Sequence, residues 1–403
     1  MQVWMLPGML PQHPGIAKAM LQYRYRTMPA AIVHAKAVGL NGTKWAWESA
    51  FSGNSATGGD CQEIHLQAGI AMAIRSYFRS THDLAWMRAR GWPMMLNIVS
   101  FVESRVAPTK SGLCAAAANC LSLNGVESPN EYAAGINNDI YTNAAFASVL
   151  QWASVVAALL GEPGPDRYAA FGDRIIIPFN KTLNRHEEYS GAPVNLRIKQ
   201  ATMTMVPFPV GREMSPQVQQ NDLVYEAAHI GTEGPAMTHS MLAIDWLQMR
   251  NKTAGDAEFS AAFDTNLVGP FLQWMECPIP PDYCQGHRPA TNFMTAAGGF
   301  LQAVIYGYGG VRYNDRSVTL MPALALNATR MALHALNYRG AQLRADWTAQ
   351  GTQLECVHGC ALANLCASST TTGPTPLTPS AVANFAAGLL VTVAPCHSSG
   401  HYL

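Results

Sequence analysis

The amino-acid sequence predicts a mainly α-helical protein that ends in a smaller β lobe. Residues 1–310 contain about nine or ten stretches with helical patterning, and the longest of them is apolar over several turns. Beyond Gly310, polar and apolar residues alternate, as is typical of strands. We therefore expect a helical domain over residues 1–310 and a β lobe over residues 311–403. Paired helices at this spacing suit hairpins in a ring or a stack, and the pattern alone does not choose between them.

Local signals refine this outline. Pro29 is expected to start the second helix, because proline is favoured at the first helical position. The helix predicted over residues 83–106 should break or kink at Gly91-Trp92-Pro93. Residues 203–210 (MTMVPFPV) are predicted to be extended. Residues 381–396 are interpreted as either a terminal strand or a short helix.

The charge balance limits the kinds of partner. Lys+Arg and Asp+Glu both number 26 in 403 residues, and charged residues make up only 13% of the chain. A formal net charge of zero argues against nucleic acid or an anionic membrane surface as the main partner. A neutral ligand such as a sugar is compatible with this composition.

Targeting and redox signals are weak. No basic segment followed by an apolar one opens the chain, so no signal peptide is predicted. The apolar runs at 146–161 and 381–396 fall short of the roughly 20 residues of a membrane span, which indicates a soluble protein.

The nine cysteines are an odd number, and Cys277 and Cys284 are one candidate bridge. The compartment stays open between cytoplasm and, for a truncated chain, secretion.

A carboxylate in a Pro/Asn loop is the first candidate catalytic group. Glu131 lies in Ser128-Pro129-Asn130-Glu131-Tyr132, just before the long apolar helix. Loops on a rigid scaffold often carry catalytic residues. The alternative is that Glu131 is a charge at the helix entry, with Asn137, Asn138 and Asp139 as capping candidates.

Two further stretches have the residue types of a sugar site. Trp47 and Glu48 precede a Gly/Ser/Asn loop, and an aromatic face beside a carboxylate suits a sugar ring with its hydroxyls. Glu276 follows Trp274 and precedes a proline-rich loop and then an apolar helix. Two such loop carboxylates can face one cleft. The alternatives are a buried aromatic core at Trp47 and a surface charge at Glu276.

The blocks WAWESA, QEIH, SPNEYAAGINNDIYTN, IKQA, GPAMTHSM and TNFMTAAGGFLQAVIYGYGG resemble glycoside hydrolase family 65, especially its hydrolytic branch. They occur in the family's order from about residue 3 to residue 310. The resemblance implies an (α/α)6 barrel over residues 1–310, followed by a small C-terminal β-sandwich lobe over residues 311–403. It also implies that the barrel is incomplete at its N-terminus, since the family's N-terminal β-sandwich, its linker and the first barrel helix have no counterpart here.

The resemblance also implies the chemistry. Family members cleave α-glucosides with inversion, and their motifs place the general acid at Glu131 and the general base at Glu276. Inversion needs carboxyl groups about 6.5–9.5 Å apart, which leaves room for a water molecule. The implied reaction removes a terminal α-linked glucose from a glucosyl-galactosyl (hydroxylysine-type) or related α-glucoside. The expected partner is therefore a carbohydrate, for example on a collagen-type glycopeptide.

The substrate-binding residues are carried over in the same way. Trp4, Trp47 and Glu48 correspond to family residues that bind the glucose undergoing cleavage. Lys199 and Gln200 correspond to a segment that contacts the leaving sugar. A departure is Gln2, which stands where the family has an aspartate that holds sugar hydroxyls. Two alternatives stay open: an acid trehalase, or a truncated, non-catalytic sugar-binding homologue.

No metal or cofactor is predicted. Glu63 and His65 have a spacing that matches no zinc site we recognise. Cys356, His358 and Cys360 also fit no established zinc pattern, and ordinary thiols of a β lobe are the simpler interpretation.

Overall fold

The computed structural model places helices in the first three quarters of the chain and mainly strands after them. It describes residues 1–56, 62–110, 112–116, 119–231, 234–264, 266–278, 289–379 and 381–396. The described α-helices are α1 (Met5–Met9), α2 (Pro14–Arg26), α3 (Met28–Ala37), α4 (His65–Thr81), α5 (Leu84–Trp86), α6 (Trp92–Arg105), α7 (Ile140–Leu160), α8 (Asp166–Gly172), α9 (Pro216–His229), α10 (Met237–Gln248), α11 (Lys252–Asp264), α12 (Met294–Gln302) and α13 (Cys360–Ala363).

The strands form five antiparallel sheets in the described chain. Three short hairpins lie among the helices, and the two larger sheets follow them with strand orders β14-β11-β10-β9 and β13-β12-β15-β8-β7. The strands are β1 (Ala107–Thr109), β2 (Cys120–Ser122), β3 (Phe179–Asn180), β4 (Arg185–His186), β5 (Leu267–Val268), β6 (Gln273–Trp274), β7 (Arg312–Tyr313), β8 (Val318–Leu320), β9 (Arg330–Tyr338), β10 (Ala341–Thr348), β11 (Gly351–His358), β12 (Leu365–Ser369), β13 (Thr375–Pro376), β14 (Val382–Ala386) and β15 (Val391–Pro395).

The helical and β parts share one core. Leu6 of α1, Phe146 of α7 and Val393 of β15 belong to the same buried hydrophobic cluster. Polar contacts reinforce the junction: Arg79 donates to both carboxylate oxygens of Asp315 at 2.7 and 3.0 Å. A bidentate pair of this kind also fixes orientation, because the planar guanidinium matches the carboxylate. The change from helices to strands occurs where the sequence predicted it; the domain boundary itself stays a prediction.

The long apolar helix α7 begins at Ile140, and one of its three candidate caps is used. Asp139 Oδ2 accepts hydrogen bonds from the Thr142 backbone N–H at 2.7 Å and from the Thr142 hydroxyl at 2.6 Å.

Among the described helices, α7 is the one long and apolar enough to cross a membrane by length and composition. The sequence predicted every apolar run to be shorter than a membrane span. That expectation is wrong for α7, because the helix starts before residue 146. Most of it is buried inside the protein, as in a core helix.

Three other local predictions have clear outcomes. The expected disruption near Gly91 is present as a π-helical turn over Met87–Gly91, which joins α5 to α6 without a gap. The extended segment predicted over residues 203–210 is wrong, since Met203–Met205 forms a 3₁₀ turn. Residues 381–396 contain two strands, β14 and β15, rather than one strand or a helix.

Disulfides cross-link both parts of the chain. The described bridges are Cys114–Cys120, Cys356–Cys360 and Cys366–Cys396. The second uses both cysteines of the sequence that was considered for zinc. The candidate bridge between Cys277 and Cys284 involves a residue outside the described ranges.

Gly298 allows α12 to approach α1 closely. A Cβ atom at this position would lie 2.5 Å from the backbone oxygen of Trp4 and 3.0 Å from the Cα atom of Met5. We expect Gly298→Ala to lower the free energy of unfolding by about 1–3 kcal/mol, because backbone atoms on both sides would have to move. Urea denaturation followed by circular dichroism measures this change.

Gly15→Ala in α2 is the matched control, because nothing lies within 4 Å of a Cβ atom there. This substitution should be neutral or stabilising, since alanine favours a helix over glycine. Equal stability of the two variants would show that the approach of α12 to α1 is not sterically limited.

Candidate functional site

Four helices begin around one cavity of about 510 Å³. His65 of α4, Tyr141 of α7, Met237 of α10 and Thr295 of α12 all line it, and each lies in the first turn of its helix. The cavity therefore sits where N-terminal helix ends meet. The sequence-predicted residues that line it are Trp4, Trp47, Glu48, Glu131, Gln200 and Glu276.

Glu131 is held in its loop by the neighbouring asparagine. Asn130 is fully buried; its Oδ1 atom accepts a hydrogen bond from the Lys199 backbone N–H at 2.8 Å, and its Nδ2 atom donates to the Arg197 carbonyl at 3.3 Å. This side chain joins the Glu131 loop to the segment that carries Lys199 and Gln200. Those two side chains then reach the carboxylate: Lys199 Nζ lies 2.6 Å from Glu131 Oε2, and Gln200 Nε2 lies 3.3 Å from Oε1.

The segment with Lys199 and Gln200 is anchored from behind by buried carboxyl groups. The Glu226 carboxylate accepts the backbone N–H groups of Thr202 and Thr204, each at 2.6 Å. The Thr202 hydroxyl donates to Glu188, 2.7 Å from both of its carboxyl oxygens. Glu188 and Glu226 are both buried. These contacts hold the segment at a fixed distance from Glu131.

Burial also sets the protonation of this cluster. It raises the pKa of Glu226 to about 7, against the opposing effect of the two backbone N–H groups. Burial, and next to it repulsion by Glu226, raises the pKa of Glu188 well above 4.5, with Asp139 adding to the effect and Arg185 opposing it. Both shifts favour the protonated carboxyl over the carboxylate.

Glu276 approaches the same cavity from another loop. Its backbone carbonyl accepts hydrogen bonds from Asn266 Nδ2 and from the Ala236 N–H, both at 3.3 Å. Its N–H donates to the Ala290 carbonyl at 3.0 Å, while its Oε2 atom accepts from the Ala290 N–H at 3.4 Å. The loop therefore joins the β5–β6 hairpin to the start of α10. Two glutamates that are far apart in sequence thus line one cavity.

His65 belongs to the cavity wall. The His65 ring packs edge-on against Trp47, with the ring centroids 5.0 Å apart. Burial lowers the pKa of His65 to about 4, so the imidazole is neutral above that pH. No group of three or more His, Cys, Asp or Glu side chains arranged to hold a metal ion occurs in the described part of the chain.

Several buried polar atoms of the wall lack a hydrogen-bond partner within the protein. They are Gln2 Nε2, Arg24 Nε and Nη1, His65 Nδ1 and Thr295 Oγ1. Buried polar groups are nearly always satisfied, but these atoms have almost no accessible surface, so a ligand in the cavity reaches them only if their side chains turn toward it.

Sequence reasoning missed part of this wall. Arg24 looks like an ordinary polar residue of an amphipathic helix, yet it is buried and donates to Gln2 Oε1 at 3.1 Å. Tyr23, Tyr141, Phe293 and Thr295 also line the cavity. No local pattern distinguishes them from core residues. Gln2 had a signal, its departure from the family's aspartate, and it does lie in the wall.

The acidic cluster predicts a pH effect on stability. Above pH 4.5 the unfolded chain releases the Glu188 proton while the folded chain keeps it, because the folded pKa is raised. Unfolding is therefore favoured as the pH rises, by at most about 1.4 kcal/mol per pH unit for this group. We expect Glu188→Gln, which cannot ionise, to flatten the decline measured by urea denaturation between about pH 5 and 7.

The exposed Glu103 provides the control, since Glu103→Gln alters a surface carboxyl in α6. It should leave the pH dependence of stability as in the parent chain. A Glu188→Gln variant whose stability still falls as steeply as that of the parent would contradict the assignment of the proton to Glu188.

Comparison with known proteins connects this geometry to a family. Residues 1–172 match the glycosyl hydrolase family 65 central catalytic domain. Protein-glucosylgalactosylhydroxylysine glucosidase of Mus musculus is 32% identical over 357 residues, which are 88% of this chain and 50% of that protein. Kojibiose hydrolase of Flavobacterium johnsoniae is 32% identical over 321 residues, 77% of this chain and 44% of that protein.

Two further relatives extend the comparison. A periplasmic acid trehalase of Saccharomyces cerevisiae is 30% identical over 325 residues, 77% of this chain and 26% of that protein. A solved structure assigned as a kojibiose phosphorylase, from the human microbiome, superposes with a TM-score of 0.75 at 17% identity, over 96% of this chain and 59% of that one. This last likeness concerns the fold alone.

The chain spans about half the length of the first curated relatives that it matches. The matched domain model and the names of these curated relatives are those of glycoside hydrolases. Residues 1–172 are thus similar to the central catalytic domain of glycosyl hydrolase family 65, and similarity to glycosidases extends over most of the chain.

Proposed function

We propose that the chain is the catalytic part of an inverting α-glucosidase, with Glu131 as the general acid and Glu276 as the general base. The observation that carries this proposal is that these two carboxyl groups, from loops on different parts of the scaffold, line one cavity. The proposed scaffold is an (α/α)6 barrel with a C-terminal β-sandwich. The four helices that begin at the cavity and the two larger C-terminal sheets support that architecture.

The reaction follows from these positions. Glu131 donates a proton to the glycosidic oxygen while the bond from that oxygen to the anomeric carbon breaks. Water attacks the anomeric carbon from the opposite face, and Glu276 accepts the proton that the water loses. The configuration inverts because attack and departure occur on opposite faces. General acid–base catalysis of this kind contributes typically ~10²–10⁴-fold for each group.

Lys199 has a particular part in this scheme. It forms an ion pair with Glu131, although Lys199 itself is not among the residues that line the cavity, whereas a proton donor at position 131 must be neutral. We therefore expect the leaving sugar to separate the two side chains, with its hydroxyl groups taking hydrogen bonds from Lys199 and Gln200. This agrees with their proposed contact with the leaving sugar.

Other residues of the cavity wall suit a terminal glucose. Gln2, Arg24, His65 and Thr295 have polar side chains that can turn to bond sugar hydroxyls, and the Trp47 ring supplies an aromatic face. Glu48 and Trp4 complete the proposed glucose-binding residues. The proposed substrate is a glucosyl-galactosyl (hydroxylysine-type) unit such as that of a collagen-type glycopeptide, supported by the name of the mouse relative.

The location of the protein is also a proposal. Three disulfides in the described chain favour an oxidising compartment, since thiols stay reduced in the cytosol of most organisms. This agrees with the periplasmic location that the name of the yeast relative gives.

Substrate choice is tested by incubating the full chain with three α-glucosides: a glucosyl-galactosyl-hydroxylysine conjugate, kojibiose and trehalose. We expect the highest kcat/KM for the first. Preference for trehalose would favour the acid trehalase alternative. Saccharide binding with no turnover of any of them would favour the non-catalytic sugar-binding alternative.

The catalytic roles are tested by Glu131→Gln and Glu276→Gln. Each should lower kcat by ~10²–10⁴-fold, because each removes one proton transfer. Glu103→Gln, on the surface of α6, is the control and should keep the parent kcat. Proton NMR during hydrolysis by the parent chain should show β-glucose forming first. Initial release of α-glucose, or normal turnover by either active-site variant, would refute the inverting mechanism with these two residues.

A further inference from the structure

A second cavity, of about 550 Å³, lies at the opposite ends of two of the helices that form the first one, α4 and α10. On α4, His65 lines the first cavity, while Arg75 and Arg79 line the second. Ten residues of helix separate His65 from Arg75, which is roughly 15 Å along the axis. On α10, Met237 lines the first cavity and Gln248 the second. None of the proposed catalytic or sugar-binding residues lines the second cavity.

Positive charge is concentrated in its wall. Arg75, Arg79, Arg212 and Arg312 line the cavity, and Glu213 is the acidic residue among the lining residues that the structure describes. These are four of only 26 Lys and Arg residues in a chain of zero net charge.

The guanidinium groups are poorly neutralised. Arg79 is paired with Asp315. Arg75 instead donates to the Val210 carbonyl and the Ser148 hydroxyl, both at 2.7 Å. Arg312 donates to the Tyr306 carbonyl and to Gln248 Oε1.

Arg212 has no carboxylate at ion-pair distance within the described ranges; Asp173 attracts it from further away. Three of the four arginines therefore have no carboxylate directly against them.

Burial of these cations costs free energy. It lowers the pKa of Arg75 to about 9, with repulsion by Arg79 as a further cause, and that of Arg312 to about 10, against attraction by Asp245. Burial lowers the pKa of Arg212 as well. An anion in the cavity would offset this cost, because charge-assisted hydrogen bonds are the strong ones and guanidinium groups match phosphate and carboxylate oxygens.

A separate observation points to a ligand. Gln219 is only 8% exposed, lines this cavity, and its Nε2 atom has no hydrogen-bond partner in the protein. This Nε2 atom has almost no accessible surface, so the Gln219 amide can donate to a ligand once its side chain turns into the cavity, where it gains the acceptor that it lacks. The wall also has an aromatic side: Phe208 and Tyr306 pack with ring centroids 5.0 Å apart, and Arg312 lies over the Phe208 ring. Cationic donors, an amide and aromatic rings together suit a small organic anion.

We propose that this cavity binds a small oxyanion, a phosphate ester or a carboxylate carried on a sugar-sized molecule, with Arg212 and Gln219 as its principal donors. The site is separate from the proposed catalytic function. The two cavities are joined by one segment, since Ala201 and Met205 line the first and Phe208 lines the second. A ligand in the second cavity should therefore stabilise the segment that follows Lys199 and Gln200.

Isothermal titration calorimetry on the full chain tests the site with glucose 6-phosphate, inorganic phosphate, glucuronate and glucose. The three anions should bind and raise the melting temperature, and neutral glucose should not bind in this cavity. Comparison of the three anions identifies the chemical group that the cavity recognises. Equal affinity for inorganic phosphate and glucose 6-phosphate indicates a phosphate site. Tighter binding of glucuronate than of either phosphate compound indicates a carboxylate site.

Arg212→Gln should weaken anion binding by about ten- to a hundredfold, the loss expected for a charge-assisted hydrogen bond. Gln219→Leu keeps the side-chain size and should weaken binding as well. Arg26→Gln, at an exposed arginine of α2, is the matched control and should bind as the parent does. Glu131→Gln should also bind normally, so failure of the catalytic proposal would not affect this result.

Either of two results would overturn the proposal. One is that none of the anions binds to the parent chain at millimolar concentration. The other is equal affinity in Arg212→Gln, Gln219→Leu and the parent, which would place the anion elsewhere.

Discussion

The candidate site depends on one fully buried amide. Asn130 accepts a hydrogen bond from the Lys199 backbone and donates to the Arg197 carbonyl, and it thereby holds together two loops that lie far apart in the chain. Together with the bond from Gln200 Nε2 to the Pro129 carbonyl, that contact fixes Glu131 relative to the side chains that reach it. An amide suits this task because it offers both a donor and an acceptor without a charge to desolvate.

Buried carboxyl groups extend the same support. Glu226 and Glu188 receive the backbone N–H groups of Thr202 and Thr204 and the Thr202 hydroxyl, which fixes the chain behind Lys199. Buried acidic side chains are costly, and the cost appears here as raised pKa values. In this protein the cost is balanced by a rigid segment directly behind the catalytic candidates, the kind of support that precise acid–base geometry requires.

The two cavities contrast in chemistry. The first has carboxyl groups, aromatic rings and polar side chains in its wall, as suits a neutral polyhydroxylated ligand. The second has arginines and an unpartnered amide, as an anion requires. Both lie along the same helices, at opposite ends. A chain with few charges overall has thus placed several of them where bulk water is largely excluded.

Much of the fold could be predicted from local signals. The switch from helical patterning to alternation near Gly310 predicted the change from helices to strands, because side-chain periodicity reflects which face is buried. Asp139 was a predictable cap, although only the structure chose it over Asn137 and Asn138. Residues 203–210 were predicted to be extended and begin with a 3₁₀ turn, because Thr204 donates its N–H to Glu226, a partner that no local pattern reveals.

By itself, the sequence determined most of the element types, the buried helix after Asp139 and, through family motifs, which glutamates to consider. Only the tertiary structure decided that Glu131 and Glu276 line the same cavity, that Arg24 and His65 belong to its wall, and that four arginines surround a second one. The physical reason is range. Propensity and periodicity act over a few residues, whereas a site is made by contacts between segments hundreds of positions apart, and these follow from how the whole core packs.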